Sequence, residues 1–370
     1  MQGTSFAFIA VAIPLAQSYG LSAVFGGAVV AGVVQILIGT SLRWLRGLFP
    51  PLVSGIVVLV IGISLIPVGI NHAAGGVGAD DFGAPLHLGI ALFVLVVTVI
   101  FNQFARGFLS TAAVLIAVVL GYLVALPFGL VDFQPVADAS WASVPMPLEF
   151  GLSFPAAAVI GMGVVAVASS VETIGDLSAI TRGGANREIT HRELSGGVTA
   201  DGVGTSLAAL FGAMPNTSFS QNVGLVALTG VVSRFVVATG AVFLVVAGLA
   251  PKLGALIATM PDAVLGGSAI IMFAMVASAG INMLKQVPLT RRNQLIIALS
   301  VGLGLGMQLV PDALVAFDEQ VQLLLESGVV PAALIAIVLN LVLPKTQAAE
   351  AGWVPSPAVE ESATERLTGD

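Results

Sequence analysis

The sequence predicts an all-α polytopic membrane protein, and three observations carry that prediction. Of 370 residues, 57% are hydrophobic and 9% charged, with a mean hydropathy of +1.04; a soluble domain carries about 25% charge. Apolar runs near the roughly 20 residues that cross a bilayer recur along the whole chain, which leaves one membrane domain and no soluble one. The third observation is a stretch that cannot cross as a plain helix, Met214 to Arg234, MPNTSFSQNVGLVALTGVVSR. Its Pro-Asn-Thr-Ser opening resists helix formation. The apolar segment from Gln221-Asn222 to Ser233, ending at Arg234, gives only roughly 20 Å at about 1.5 Å per residue, against a hydrocarbon core of about 30 Å. An extended lead-in from Pro215 at about 3.3 Å per residue makes up the rest. Such a broken span brings polar side chains and the positive end of a half-helix dipole near mid-membrane, the geometry of secondary transporter sites.

Composition excludes several classes. There is no cysteine, hence no disulfide or thiol chemistry, and His72, His87 and His191 are too scattered for a metal cluster. The net charge of −7 argues against a nucleic-acid partner. The opening MQGTSFAFIA has no basic n-region or cleavage site and does not read as a signal peptide.

Taken in order, spans are expected at about 5–18, 21–42, 49–70, 86–104, 108–130, 155–179 and 194–213, then the broken span 214–233, then about 235–250, 262–283, 293–310 and 329–343. With the 42–49 loop in the cytoplasm, twelve of the thirteen cations fall inside and only Lys252 outside, a bias that sets the topology. Asp80, Asp81, Asp132, Asp138, Asp312, Asp318, Glu319 and Glu326 fall on the opposite side. The membrane domain covers 1–344; the polar segment 345–370 reads as a disordered cytoplasmic tail.

Two matches suggest an internal duplication. Thr4-Ser5-Phe6 recurs as Thr217-Ser218-Phe219, 213 residues on, and Phe49 to Gly55 resembles Met260 to Gly266, 211 residues on. The first span runs outward and the broken span inward, so the repeats are inverted. The second half has two spans before its Thr-Ser-Phe element and the first half has none; two N-terminal spans are expected to be missing.

Ionisable groups inside spans are costly and default to functional roles. Glu172 and Asp176 lie four apart on one helix face. Two like charges there disfavour joint ionisation, which suits a proton carrier. Asp201, placed near the cytoplasmic start of its span, is either a relay partner or a helix-cap carboxylate. Gln221 and Asn222 offer amides that donate and accept in one plane, suited to the edge of a heterocycle. Phe6 and Phe219, at matching repeat positions, are positioned to stack on a flat ligand or simply to pack.

QNVGLVALTG, with Gln221, Asn222, Gly224 and Thr229, resembles the signature of the nucleobase–ascorbate transporters, nucleobase:cation symporters. GTSFAF at Gly3–Phe8, ETIGD at Glu172–Asp176 and ADGVGTSLAALFG at Ala200–Gly212 extend the resemblance over almost the whole chain apart from the tail. It implies two inverted sevens of spans with core and gate domains, here without the first two spans, and a homodimer. The core would comprise about 1–45 and 155–250, the gate about 49–130 and 262–343. It implies further that Glu172 bonds ring N–H groups, Gln221 reads the opposite edge, the Ser5-Phe6 backbone adds contacts and Phe6 stacks. Asp176, Asp201 and Asn222 would serve proton coupling and the polar network. Glutamine at 221 with aspartate at 176 resembles the xanthine/urate branch, and the small Ser5 leaves room for urate.

The expected protein is thus no enzyme and binds no cofactor or metal. It imports a purine nucleobase, xanthine and/or urate, by proton symport through alternating access, as a multi-pass protein of a bacterial inner membrane. The alternatives are a uracil or other nucleobase permease, or a sulfate- or bicarbonate-type anion carrier of the same architecture.

Overall fold

The computed structural model describes residues 2–42, 50–219, 222, 226, 230–285 and 287–344, with the backbone alone at 182 and 319. Helices of eight residues or more are labelled. The chain opens with a strand, β1 (Gln2–Thr4), and a single 3-10 turn at Phe6–Phe8. It continues into α1 (Ile9–Tyr19) and, after a left-handed Gly20, α2 (Leu21–Thr40). Next come α3 (Pro51–Ala73), α4 (Pro85–Phe104) and α5 (Ala113–Ala125). Pro51 and Pro85 stand at the first helical positions, where the missing N–H costs nothing. Beyond a loop with one short helix at Gln134–Asp138 lie α6 (Ala156–Ala185), α7 (His191–Leu210) and the second strand, β2 (Asn216–Ser218). The rest is α8 (Arg234–Gly248), α9 (Pro251–Ala258), α10 (Asp262–Leu284), α11 (Arg291–Leu309), α12 (Glu319–Glu326) and α13 (Val329–Val342).

Among the described residues, five helices (α2, α3, α4, α6 and α10) are long and apolar enough to cross a bilayer singly. The number rises to seven if the bent pairs α8–α9 (83°) and α12–α13 (81°) each count as one span. The remaining expected spans differ for physical reasons. Of these, α1 and α5 have only 11 and 13 residues, while α7 and α11 are long but carry glycines, hydroxyls and charges.

The two Thr-Ser-Phe copies meet in space. β1 pairs antiparallel with β2 in the register Gln2↔Ser218, Gly3↔Thr217, Thr4↔Asn216. The Ser5 N–H continues the ladder to the Pro215 carbonyl at 2.9 Å. A two-stranded ribbon inside a membrane protein is tolerated only where protein covers it. Thr217 and Ser218 are buried here, and Thr205 bonds the Asn216 backbone through both its carbonyl (3.2 Å) and its N–H (3.1 Å).

The end of the broken span is corrected. Its helix was expected to run through Ser233 and stop at Arg234. Instead residues 230–233 are not helical, Gly230 sits at φ 67° with its N–H on the Val226 carbonyl (2.8 Å), and Arg234 opens α8. A left-handed glycine after the last turn is a common helix stop. Asp201 is also displaced from its expected place near a helix start. It lies midway along α7, whose N-terminus is instead closed by the reciprocal Thr190–Glu193 capping box.

Glycines set the helix contacts. On α3, Gly55, Gly62 and Gly69 recur every seven residues against α10. A Cβ on Gly62 would strike the Ala277 backbone, while Gly266 and Gly280 of α10 abut the backbones of Ala73 and Leu59. Gly266 and Gly280 stand 211 positions after Gly55 and Gly69, so the helix pair is built on repeat-related glycines. Similarly Gly32 of α2 and Gly202 of α7 each face the other's carbonyl. α2 is buried between α6 and α7, whereas α8, its counterpart 213 positions on, buries none of its residues.

Between α3 and α4 the turn is tied by His87 Nε2 to Asp81 at 2.6 Å, and the end of α3 is tied to the start of α10 by His72 to Asp262 at 2.7 Å. The hydrogen bond from His87 holds the exposed Asp81 carboxyl below its ordinary range. A depressed folded-state value contributes stability above the ordinary carboxylate value of about 3.9 and loses it as pH falls below that. Exchange of the Gly83 amide, bonded to the Ala74 carbonyl (2.7 Å), should therefore, after correction for intrinsic rates, accelerate as pH falls below about 4. Asp81→Asn should remove the step.

Candidate functional site

Where the two strands give way to their helices, a cavity of about 310 Å³ opens, at the small end of the roughly 300–1,000 Å³ usual for ligand pockets. One wall is Thr4 to Ala7 and Thr217 to Phe219, joined by Glu172 of α6. The opposite wall is Val58 and Ile61 of α3 with a stripe of α10, Met272, Met275, Val276, Ser278, Ala279 and Asn282, which recur at helical spacing.

The structure thus brings Ser5, Phe6 and Glu172 to one hollow. Ser5 is buried, and its hydroxyl has no hydrogen-bond partner. A buried polar atom left so is an acceptor and donor awaiting one. Phe6 meets Phe273 edge-on, centroids 5.7 Å apart at 83°, and Phe219, also in the wall, covers Gly3 where a Cβ would stand. Gln221 lies outside the described residues, as do Gly224 and Thr229 of the same motif. Asn222 is not among the lining residues; its backbone N–H bonds the Phe219 carbonyl (3.0 Å), and its Nδ2 is buried without a hydrogen-bond partner.

Behind the wall runs a buried polar network. Asp176 and Asp201 are buried, 8% and 1% exposed. The Ser218 Oγ lies 2.6 Å from Asp176 Oδ2 and 3.4 Å from the Thr173 Oγ1, and Thr173 in turn donates to Asp201. On the other flank Gln35 Nε2 donates to Ser169 (3.3 Å), which donates to Thr217 (3.1 Å). Glu172 and Asp176, one turn apart on α6, therefore have different surroundings: the first faces the cavity, the second the strand behind it.

Sequence reasoning met Ser218 only as part of the Thr-Ser-Phe repeat and gave no site role to it or to Thr173, Ser169 or Gln35. The available signal was the hydroxyl-rich run around Glu172, VASSVET, and a lone amide in the apolar α2. Nor did it find the α10 stripe, whose residues look like ordinary membrane helix until α10 is seen across the cavity.

Inverted repeats, paired strands at the breaks and a cavity between them define a polytopic transporter-fold membrane protein. The Permease family model Xan_ur_permease matches residues 1–313. The chain belongs to this family, the nucleobase:cation symporters of the nucleobase–ascorbate type, a family of permeases and not of enzymes. It is 42% identical over 343 residues to a putative purine permease of Clostridium perfringens, covering 93% of this chain and 76% of that one. It is 40% identical to the xanthine permease of Bacillus subtilis (92% and 78% covered) and 37% to the uric acid transporter UacT of Escherichia coli (90% and 69%). Among solved structures, the transmembrane domain of the cyanobacterial bicarbonate transporter BicA superposes with a TM-score of 0.52 at 17% identity, covering 92% of this chain and 83% of that one. At that identity the likeness concerns the fold alone.

Proposed function

We propose that the chain is a secondary active transporter that imports a purine nucleobase, xanthine and/or urate, across the plasma membrane by proton symport and alternating access. The observation that carries this reading is the cavity wall on which the unpartnered Ser5 hydroxyl, the Glu172 carboxylate and the Phe6 and Phe219 rings converge. A planar ring with N–H and C=O edges satisfies all of them at once. Glu172 accepts ring N–H groups, Gln221 reads the opposite edge and Phe6 stacks, with Asn222 in the adjoining polar network. Asp176 and Asp201 carry the coupling proton. The core (about 1–45 and 155–250) moves against the gate (about 49–130 and 262–343), working as a homodimer with its tail cytoplasmic. The names of the similar proteins, xanthine, uric acid and purine permeases, support the same substrate class.

An anion carrier of the bicarbonate type is disfavoured, because a carboxylate lines the cavity and two more lie behind it. Uptake of radiolabelled xanthine in cells lacking their own permeases tests the proposal. Excess unlabelled urate should compete and uracil should not. Each ring group left unpaired costs about 1–3 kcal/mol, or roughly 5- to 150-fold in affinity. Competition by uracil alone, or uptake of bicarbonate instead, would overturn it.

A further inference from the structure

Three hydrogen-bond links join the two buried aspartates: Asp176 to Ser218, Ser218 to Thr173, and Thr173 to Asp201. Two hydroxyls supply two hydrogens for these three links. With both carboxylates ionised, each hydroxyl turns to its own aspartate and the Ser218–Thr173 link is empty. With both protonated, four hydrogens exceed the three links. One acid proton fills every link, in either direction. If it sits on Asp176, that acid donates to Ser218, Ser218 to Thr173, and Thr173 to the Asp201 carboxylate. If it sits on Asp201, every arrow reverses.

We propose that Asp176 and Asp201 hold one exchangeable proton in common, and that Ser218 and Thr173 are the positioning residues through which it passes between α6 and α7. The transfer balances. Asp176 gives its proton to Ser218, Ser218 gives its own to Thr173, and Thr173 gives its own to Asp201, so each hydroxyl loses one and gains one. No electron moves. Ser218 also lines the cavity, and Thr173 adjoins Glu172 in the chain. The relay therefore touches the place where a ligand would sit. The other titratable groups on the surrounding elements are Glu172 and Arg182 on α6, and His191, Arg192 and Glu193 at the far end of α7; α2, β1 and β2 contain none.

This inference rests on the proton-coupled reading of the site, and its test separates the two. The full chain, reconstituted in lipid, is titrated by infrared spectroscopy of the carboxylic acid carbonyl stretch, assigned with Asp176→Asn and Asp201→Asn. The wild type should show a single one-proton step. Ser218→Ala and Thr173→Val should split that step or move its midpoint by about one pH unit or more, a tenfold change in proton affinity, whereas Thr173→Ser should restore it. In parallel, Thr173→Val, which lies off the cavity wall, should retain xanthine counterflow but lose at least about tenfold in proton-driven accumulation. Two independent steps in the wild type, or unchanged midpoints in Ser218→Ala and Thr173→Val, would overturn the shared proton. If Thr173→Val does not fold, Ser218→Ala and the wild-type titration decide alone. A wild type that moves no protons with xanthine yet shows the single step would instead sink proton symport and leave the shared proton standing.

Discussion

Glu172→Gln should lower xanthine affinity by about 10- to 150-fold, since a hydrogen bond to a charged group contributes about 1.5–3 kcal/mol. Among the described residues lining the cavity, Glu172 is the one carboxylate. Glutamine keeps its size, so shape is preserved while an acceptor of two N–H bonds becomes half a donor. Equilibrium binding to the purified protein and initial uptake rates over a range of xanthine concentrations would measure it. Gln221→Ala should be comparably damaging, on the strength of the QNVG motif. Asn282→Ala, on the α10 wall and exposed, should change affinity by no more than a few-fold, exposed substitutions usually costing within about 0.5 kcal/mol. Wild-type binding in Glu172→Gln and Gln221→Ala together would remove the proposed site.

Gly62→Leu should be the most destabilising substitution of those considered. Its Cβ would fall on the Ala277 backbone, which cannot swing aside as a side chain can. Overpacking costs about 1–3 kcal/mol where neighbours yield and more where they do not, so folded protein in mild detergent should be largely lost. Size-exclusion profile and thermal midpoint would report it. Gly89→Leu on α4, where nothing lies within 4 Å of the added Cβ, should leave both unchanged. If Gly62→Leu were as stable as Gly89→Leu, the close approach of α3 to α10 would be wrong.

The site divides by how its residues announce themselves. Glu172 and Asp176 were legible because charge in an apolar run is expensive and must be repaid by a role or a partner. Their separate surroundings were not legible, because one helical turn along α6 moves a side chain from the cavity to the strand behind it. Asp201 was found by the same rule and misplaced, since the helix start had to be inferred before the Thr190–Glu193 box fixed it. Ser218 and Thr173 carry no charge; a hydroxyl in a membrane helix, as at Thr173, by default bonds its own backbone, and Ser218 belongs to an extended segment whose partner strand is remote in the chain.

By itself the sequence determined that this is a polytopic membrane protein, because apolar runs of bilayer length admit little else. It pointed to the internal repeat as well, because the Thr-Ser-Phe copies and the glycine-bearing segments share nearly one offset. Tertiary structure alone decided that those copies pair as β1 and β2 and that α10 walls the cavity. It also decided that Asp176 and Asp201, 25 residues apart in the chain, end on one string of hydroxyls. Periodicity and cost of burial are local properties, written along the chain; which groups face one another depends on how separate helices dock, and that is set by packing no single segment contains.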